Sequence, residues 1–517
     1  MKLKVLELKK HNRRKVGELG VEKIVEVYLE KLQLENLVVS SNTEAIKEVP
    51  ISELTYDSKE VIKGTLFICK GVNFKVSYLE EAALRGAALY VSEKKYDLDI
   101  DYPCIIVKDI RKTMPLLADL FYDSPTEKMN LVGITGTKGK TTTINYFKSI
   151  IDEYLLAQGK KESGILSTIE TYDGKERFAS RLTTPEAISV YKHIRNAVDY
   201  NLEYLEMEVS SQALKYGRVE GVFYDIGIFT NISEDHISPT EHKDFEDYFQ
   251  AKLKIFEQAK VAVINKEADH FEQIQEAASK CEKVITFGRH SECDIYGHNI
   301  NHVNDQIHFQ VRTKDFDEEI VLNIQGEVNV ENALAAISAA SVLGIPVEHM
   351  KLGLIKAHIR GRMETYSNGD RSIIAIVDYA HNKLSFEKLF EHALSCYPDY
   401  KIVSIFGCPG GKAHHRRKDL GSTAGKYSDM VYIVADDPAF ENVFDISEEI
   451  AKYVEAGGCA YEIIEEREAA IKKAIDSATQ PTLILVAGKG HEKRQNYCGK
   501  YIECLSDSEY VELFLKR

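Results

Sequence analysis

The sequence predicts an α/β protein of three domains: a small α/β unit over residues 1–127, a central parallel-sheet unit over 128–356, and a C-terminal Rossmann-like unit over 357–517. Three observations predict it. The chain has 517 residues, and at roughly 150 residues per domain that length favours three. Apolar, β-type runs alternate with helical stretches through the middle of the chain, which is the pattern of a parallel sheet. Four apolar runs in the last third each end in a polar or glycine turn, as strands of an open α/β sheet do at their carboxyl ends.

The elements follow in order. In the first unit, Leu66-Phe67-Ile68 and Cys104-Ile105-Ile106-Val107 read as short strands, with a small helix around Ala82, Ala83 and Leu84 between them. Pro125 and its polar neighbours mark the boundary. The second unit opens with Leu131-Val132-Gly133-Ile134 and then Thr135-Gly136-Thr137-Lys138-Gly139-Lys140-Thr141-Thr142, a strand, a glycine loop and a helix start. Further strands are expected at Tyr204–Val209, Ile226–Phe229 and Val261–Ile264. In the third unit Ile373–Val377 runs into Asp378-Tyr379-Ala380-His381, and Ile402–Phe406 into Gly407. Val431–Ala435 runs into Asp436-Asp437-Pro438, and Leu483–Val486 into Ala487-Gly488-Lys489-Gly490-His491-Glu492. On parallel strands all four polar clusters share one sheet edge, where ligands of such sheets bind.

Composition narrows the function. Hydrophobic residues make up 44% and charged residues 28%, the balance of a globular protein and not of a disordered one. With 66 Lys and Arg against 81 Asp and Glu the net charge is −15, which argues against a general nucleic-acid binder. A local pocket for an anionic small molecule stays open. Charges interrupt every apolar stretch of MKLKVLELKKHNRRK, and no run approaches the ~18 apolar residues of a membrane span. The nine cysteines form no CxxC pair, so reduced thiols are expected and a structural zinc is not. The expectation is a cytoplasmic monomer without a membrane or nucleic-acid partner.

The glycine loop carries the first chemistry. Backbone N–H groups of such a turn, at a helix N-terminus, cradle phosphates. Lys140 would reach the β- and γ-phosphates, and a hydroxyl of Thr141 or Thr142 suits Mg²⁺. The spacing departs from GxxxxGK[ST], because position 134 is Ile and not Gly. A flexible basic turn is the bland alternative.

Gly136-Thr137-Lys138-Gly139-Lys140-Thr141-Thr142 resembles the signature of the Mur ligases, which build the peptide of bacterial cell-wall precursors. Further stretches match in family order: Thr183-Thr184-Pro185-Glu186, Met207-Glu208-Val209-Ser210-Ser211-Gln212, Thr230-Asn231-Ile232 with Asp235-His236, and Tyr248-Phe249-Gln250-Ala251-Lys252. Gly361-Arg362-Met363-Glu364, Asp378-Tyr379-Ala380-His381 and Gly488-Lys489-Gly490-His491-Glu492 complete the set. Together they are similar to the branch of the family that adds the third amino acid.

The resemblance implies a reaction and its parts. ATP activates the D-glutamate side-chain carboxylate of UDP-MurNAc-L-Ala-D-Glu as an acyl phosphate, and an amine displaces phosphate. Gly136 to Thr142, with Lys140 foremost, would hold ATP, helped by Asn332 on adenine, Arg362 on phosphate and Asp378 on ribose. Two Mg²⁺ ions are implied, on Thr141, Glu208, His236 and a carbamylated Lys252. Thr183, Thr184, Ser210 and Arg218 would meet the muramyl peptide. Ser58, in Tyr56-Asp57-Ser58-Lys59, would make the first unit a uridine-binding domain, although Lys59 stands where the family usually has Arg. Arg417 would lie near the carboxylate of the incoming amino acid, with Asp436, Asp437, Pro438, Ala439, Gly488 and Glu492 completing that subsite.

The added amino acid is read from Asp436-Asp437-Pro438-Ala439. Family members that add meso-diaminopimelate have D-N-P-R here, and the arginine grips a distal carboxylate. With Ala439 the fork is gone, and with Asp437 a negative charge is gained, so a substrate ending in an ammonium fits better. L-Lysine is favoured. Ornithine, one methylene shorter, is the nearest alternative, because a methylene is worth only about 1–3 kcal/mol. Two other functions compete: folylpolyglutamate synthetase, which lacks the N-terminal unit and the Thr-Thr-Pro-Glu loop, and a P-loop switch or transport ATPase, which has no use for Lys252 or the Gly488–Glu492 loop.

Overall fold

The computed structural model describes residues 16–17, 20–71, 73–99, 101–235, 237–238, 241–303, 306–324 and 326–516. They pack as two units. One runs to Tyr296 and takes in Glu331–Gly353; the other holds Leu354 onward with the segments Gly297–Val311 and Asp317–Val330.

Two larger sheets organise the first unit. The N-terminal one is five-stranded, in the order Val38–Ser41, Cys104–Val107, Leu89–Ser92, Thr65–Ile68, Glu53–Thr55. Val38–Ser41 is antiparallel to its neighbour and the others run parallel. The inner strands are buried along their whole length, which is why they read as continuous apolar runs. The helix Ile110–Phe121 starts where the Asp109 carboxylate accepts from the N–H groups of Arg111 and Lys112, a side-chain cap for otherwise unpaired donors. Its buried Ile110, Met114, Leu117, Ala118 and Phe121 recur at helical spacing and form one apolar face.

Within this unit the central sheet has the strand order Arg177–Ala179, Glu170–Tyr172, Gly164–Leu166, Tyr204–Glu208, Asn130–Thr135, Tyr224–Phe229, Ala259–Asn265, Lys283–Gly288. The strands from Gly164–Leu166 to Lys283–Gly288 are parallel. Their carboxyl ends therefore share one edge, with Thr135, Glu208 and Phe229 on adjacent strands. The expected strands are present, with ends shifted by one or two residues. Pro125 begins a short 3-10 turn, Pro125–Lys128, between the two sheets. The apolar core does not stop there: one cluster runs from Val25 to Ala278.

The second unit is built on a six-stranded sheet, in the order Glu364–Ser367, Ile373–Asp378, Thr482–Ala487, Lys401–Phe406, Met430–Ile433, Ala460–Ile463. Only Glu364–Ser367 is antiparallel. Side chains alternate across a strand, and the core divides accordingly. Ile374, Ile376, Leu483 and Leu485 pack with Phe386, Leu420 and Ile450 on one face. Ala375, Val377, Ile484 and Val486 pack with Ala470, Ile471, Val511 and Phe514 on the other. Helices on both faces make this the Rossmann-like sheet that the sequence predicts. Among the described residues no helix is long and apolar enough to cross a membrane.

One buried ion pair ties the second unit together. Arg467 Nε donates to Asp507 Oδ1 at 2.8 Å and Nη2 donates to Asp507 Oδ2 at 2.6 Å. Nη2 also donates to the Ala487 carbonyl at 2.9 Å, which links two helices to a strand end. Removing one partner leaves the other charge buried and unpaired. Arg467→Met is therefore expected to cost about 3–5 kcal/mol in urea unfolding, and a loss below ~1 kcal/mol would contradict this role.

Candidate functional site

The glycine loop joins the strand Asn130–Thr135 to the helix Lys140–Ala157. Gly136 has φ +148°, and a Cβ there would overlap Thr230 Oγ1 and stand 3.2 Å from both N and O of Asn231. Only glycine fits. The end of the neighbouring strand clamps the turn: Thr137 N–H donates to the Asn231 carbonyl (3.0 Å), Lys138 N–H donates to Asn231 Oδ1 (2.8 Å), and Thr230 Oγ1 donates to the Lys138 carbonyl (2.7 Å). Tyr248 OH adds a bond to Thr137 Oγ1 at 3.0 Å. Gly139, at φ +83°, lies against Asn332 Oδ1, which also accepts from Thr143 Oγ1 at 3.4 Å. Thr142 is buried in the first turn of the helix. The result is a fixed turn at a helix N-terminus, a geometry that suits phosphate.

Two lysines converge on it. Lys140 Nζ donates to the carbonyls of Gly136 (2.8 Å) and Thr137 (3.1 Å). Lys252 Nζ, fully buried, donates to the same Gly136 carbonyl at 2.7 Å. Burial, with the Lys140 ammonium close by, holds the Lys252 amine well below the ordinary lysine range. Lys138 pairs with Asp235 at 3.1 Å. His236 lies outside the described residues.

A line of hydrogen bonds runs from the loop along the strand ends. Glu208, fully buried, accepts from Thr141 Oγ1 (3.1 Å), Thr168 N (2.9 Å) and Thr168 Oγ1 (3.1 Å). Thr183 Oγ1 lies within hydrogen-bond distance of Thr168 Oγ1, at 3.2 Å, and can donate to it. Thr184 Oγ1 donates to the Glu208 carbonyl at 2.8 Å and receives Ser210 N–H at 2.9 Å. Arg218 Nη1 donates to the Thr184 carbonyl at 3.3 Å. The carboxylate and hydroxyls of Glu208, Thr141 and Thr168 are hard oxygen donors, the set that Mg²⁺ prefers.

At its far end the line reaches a cavity of about 860 Å³. Lys70, Lys108, Arg111 and Arg218 supply positive charge, and Phe74 and Tyr216 supply rings. Arg111 stacks over Tyr216 at 4.1 Å. Glu186 joins two of the cations, Lys70 at 2.5 Å and Arg218 at 3.0 Å. Cations and aromatic faces together suit a nucleoside diphosphate. Ser58 is not among the lining residues; its hydroxyl donates to Glu81 at 2.7 Å.

In the second unit the expected polar clusters do share one sheet edge. Asp378 caps two turns, accepting from Met363 N–H (2.8 Å) and Ala380 N–H (2.7 Å). Burial raises its carboxyl against the pull of Arg362. The Arg362 guanidinium lies over the Tyr379 ring at 5.0 Å. Beyond the strands Met430–Ile433 and Thr482–Ala487, acids gather around one cation. Lys489 Nζ sits 3.0 Å from Asp437 Oδ1 and 2.5 Å from Glu492 Oε2. Burial pushes the carboxyl of Asp436 up to about 6, although Lys489 and Arg467 oppose the shift. Pro438 and Ala439 follow in a turn whose Ala439 N–H donates to the Asn496 carbonyl at 3.0 Å. Arg417 is buried, and Glu449 and Glu441 each hold one end of its fork at 2.7 Å. Both ends of that fork already carry a carboxylate, which argues for a packing role over a contact to the incoming amino acid.

Comparison with known proteins fits this geometry. The family model of the Mur ligase middle domain matches residues 134–340, and that of the Mur ligase, glutamate ligase domain matches 361–490. The UDP-N-acetylmuramoyl-L-alanyl-D-glutamate--L-lysine ligase of Enterococcus faecalis is 36% identical over 475 residues, 90% of this chain and 92% of that protein. The chain belongs to the Mur ligase family. It is an ATP-dependent, amide-forming ligase. The enzyme of the same name from Streptococcus agalactiae is 37% identical over 477 residues, 91% of this chain and 94% of that protein. Among solved structures, a UDP-N-acetylmuramoyl-L-alanyl-D-glutamate--2,6-diaminopimelate ligase shares the fold, with a TM-score of 0.64 at 21% identity over 96% of this chain and 99% of that one.

Sequence reasoning missed several residues of this Mur ligase. Thr168, Lys70, Arg111 and Tyr216 stand in no motif, and only the fold brings them to the line of hydrogen bonds or to the cavity. Glu186 stood in a motif without a role. Lys489 was within a motif, but its acidic company became visible only when two strand ends met. The loop itself yields a prediction. Gly136→Ala should lower stability by about 1–3 kcal/mol, read as a fall in the urea midpoint, because the clash is partly with backbone. A variant as stable as the parent would contradict the clamp.

Proposed function

We propose that this Mur ligase joins L-lysine to UDP-MurNAc-L-Ala-D-Glu through an acyl phosphate, in the cytoplasmic synthesis of peptidoglycan precursors. The observation that carries the reading is the bonded line from Thr141 through Glu208 and Thr184 to Arg218. It connects a phosphate loop to a cationic, ring-lined cavity, so a triphosphate at one end can meet a carboxylate anchored at the other. The names of the relatives support the same substrates. We read 1–127 as the domain that binds the UDP part, 128–356 as the ATP domain and 357–517 as the amino-acid domain.

The chemistry follows from charge. A carboxylate is a poor electrophile, and two anions repel in one pocket. Lys140, with Lys138 and the backbone N–H groups of Gly136 and Gly139, would offset the phosphate charge. The D-glutamate side-chain carboxylate attacks the γ-phosphorus; a new P–O bond forms, the β–γ bridge breaks and ADP leaves. The lysine α-amine then attacks the acyl carbon, a C–N bond forms, phosphate departs and the amine gives up a proton. Thr183, Thr184, Ser210 and Arg218 orient the muramyl peptide. Asn332 would meet adenine, Arg362 phosphate and Asp378 ribose. Ser58 would contact uridine only by releasing Glu81.

Thr141 and Glu208 would hold Mg²⁺, which would add positive charge at the phosphates; His236 and Lys252 complete the set for two ions. A buried amine of lowered basicity is the neutral form that CO₂ takes up. On Lys252 an N–C bond would form, a proton would leave, and an anionic oxygen donor would replace a neutral amine. We read the enzyme as a monomer.

The acid cluster of Asp436, Asp437 and Glu492, with Ala439 offering no donor, supports an amine-ended substrate. A distal carboxylate placed there would be left unpaired, and even about 3 kcal/mol is more than a hundredfold in preference. The test supplies the UDP-dipeptide, ATP, Mg²⁺ and equal concentrations of L-lysine and meso-diaminopimelate, and weighs the product. Lysine should dominate; incorporation of diaminopimelate at an equal or greater rate would overturn the assignment.

A further inference from the structure

Lys489 is 3% exposed, whereas the side chains of the acids it touches, Asp437 and Glu492, keep 26% and 28% of their surface. The ammonium thus lies on the inner side of the cluster and the two carboxylates reach outward. Each acid has a second anchor. Asn496 N–H donates to Asp437 Oδ1 at 2.9 Å, and Tyr379 OH donates to Glu492 Oε1 at 3.1 Å. Both carboxylates approach one nitrogen within 3.0 Å. Without a cation between them, two carboxylates this close would repel, splay apart or share a proton.

We propose that Lys489 is a positioning residue for the incoming amino acid: its buried ammonium clasps Asp437 and Glu492 into one outward-facing acidic pincer that takes the ε-ammonium of L-lysine. The inference rests on the lysine-adding reading above. Lys489 does not compete with the substrate, because its own stem and nitrogen sit beneath the acids. A carboxylate offers more acceptor positions than Lys489 uses, and those on the outer side remain for a second ammonium. With two acids and one internal cation the pincer keeps a net negative charge. It attracts an amine-ended side chain, repels a distal carboxylate and gives a neutral chain such as norleucine nothing in exchange for desolvation.

The test uses the full-length enzyme with saturating UDP-dipeptide, ATP and Mg²⁺, and compares L-lysine with L-norleucine. In Lys489→Met the KM for lysine should rise about tenfold or more, by a larger factor than kcat falls, and the preference for lysine over norleucine should drop by about tenfold or more. Lys489→Arg, which keeps a cation, should retain more of that preference than Lys489→Met. An unchanged preference in Lys489→Met overturns the proposal, and so does an equal loss of rate with both amino acids, which marks a merely structural role. Should Lys489→Met fail to fold, Lys489→Gln takes its place against Lys489→Arg, and equal preference in those two also overturns it. A wild-type enzyme that makes no lysine product overturns the lysine reading itself; a wild type that prefers lysine beside an indifferent Lys489→Met overturns only the role of Lys489.

Discussion

The turn at Gly136 has no room for a side chain, and much of the first unit is arranged around that constraint. Thr230 and Asn231 press on it from the adjacent strand, and their bonds to Thr137 and Lys138 fix its backbone. The Gly136 carbonyl then takes two lysines, Lys140 and Lys252. One rigid peptide group thereby sets the spacing of two nitrogens. It also leaves the helix N-terminus beyond Gly139 facing the strand edge where Glu208 ends the neighbouring strand. A looser turn would hold neither lysine to a defined place.

Charge is distributed by unit. In the first unit cations gather where anions are expected: Lys138 and Lys140 at the loop, and Lys70, Lys108, Arg111 and Arg218 around the cavity. In the second unit the order is inverted, and among the described residues Lys489 is the cation paired with both Asp437 and Glu492. The two patterns match the two kinds of reactant that an amide ligase must hold, a polyanionic nucleotide sugar with ATP and a cationic amino acid. Buried charges of this kind persist only where partners satisfy them, as the anchoring of Glu208 by Thr141 and Thr168 illustrates.

The sequence made the inner strands of both parallel sheets legible because they are largely buried and read as apolar runs, whereas Lys283–Gly288 and Ala460–Ile463, partly exposed, gave no such run. The glycine loop was legible because its residues are contiguous. What stayed hidden has a physical cause in each case. The strands Gln306–Arg312 and Asp317–Leu322 alternate polar and apolar residues with several charges, and the hairpin of Arg494–Tyr497 and Lys500–Glu503 carries few core residues; neither produces an apolar run. Arg111 and Lys70 come from separate elements, and their meeting depends on tertiary packing. The partners of Arg417, expected near the carboxylate of the incoming amino acid, were hidden too: Glu441 and Glu449 reach it from 24 and 32 residues further along the chain. Likewise the Glu81 carboxylate that accepts from the Ser58 hydroxyl lies 23 residues away in the chain.

The central claim is that the loop end of this strand edge transfers a phosphoryl group to a carboxylate, so that the carboxylate oxygen leaves with phosphate. The most direct measurement uses UDP-MurNAc-L-Ala-D-Glu carrying ¹⁸O in the glutamate side-chain carboxylate, with wild-type enzyme, ATP, Mg²⁺ and L-lysine, and weighs the phosphate released. The account predicts one carboxylate-derived ¹⁸O atom in each phosphate formed. Phosphate with no excess ¹⁸O, released alongside tripeptide product, would contradict it.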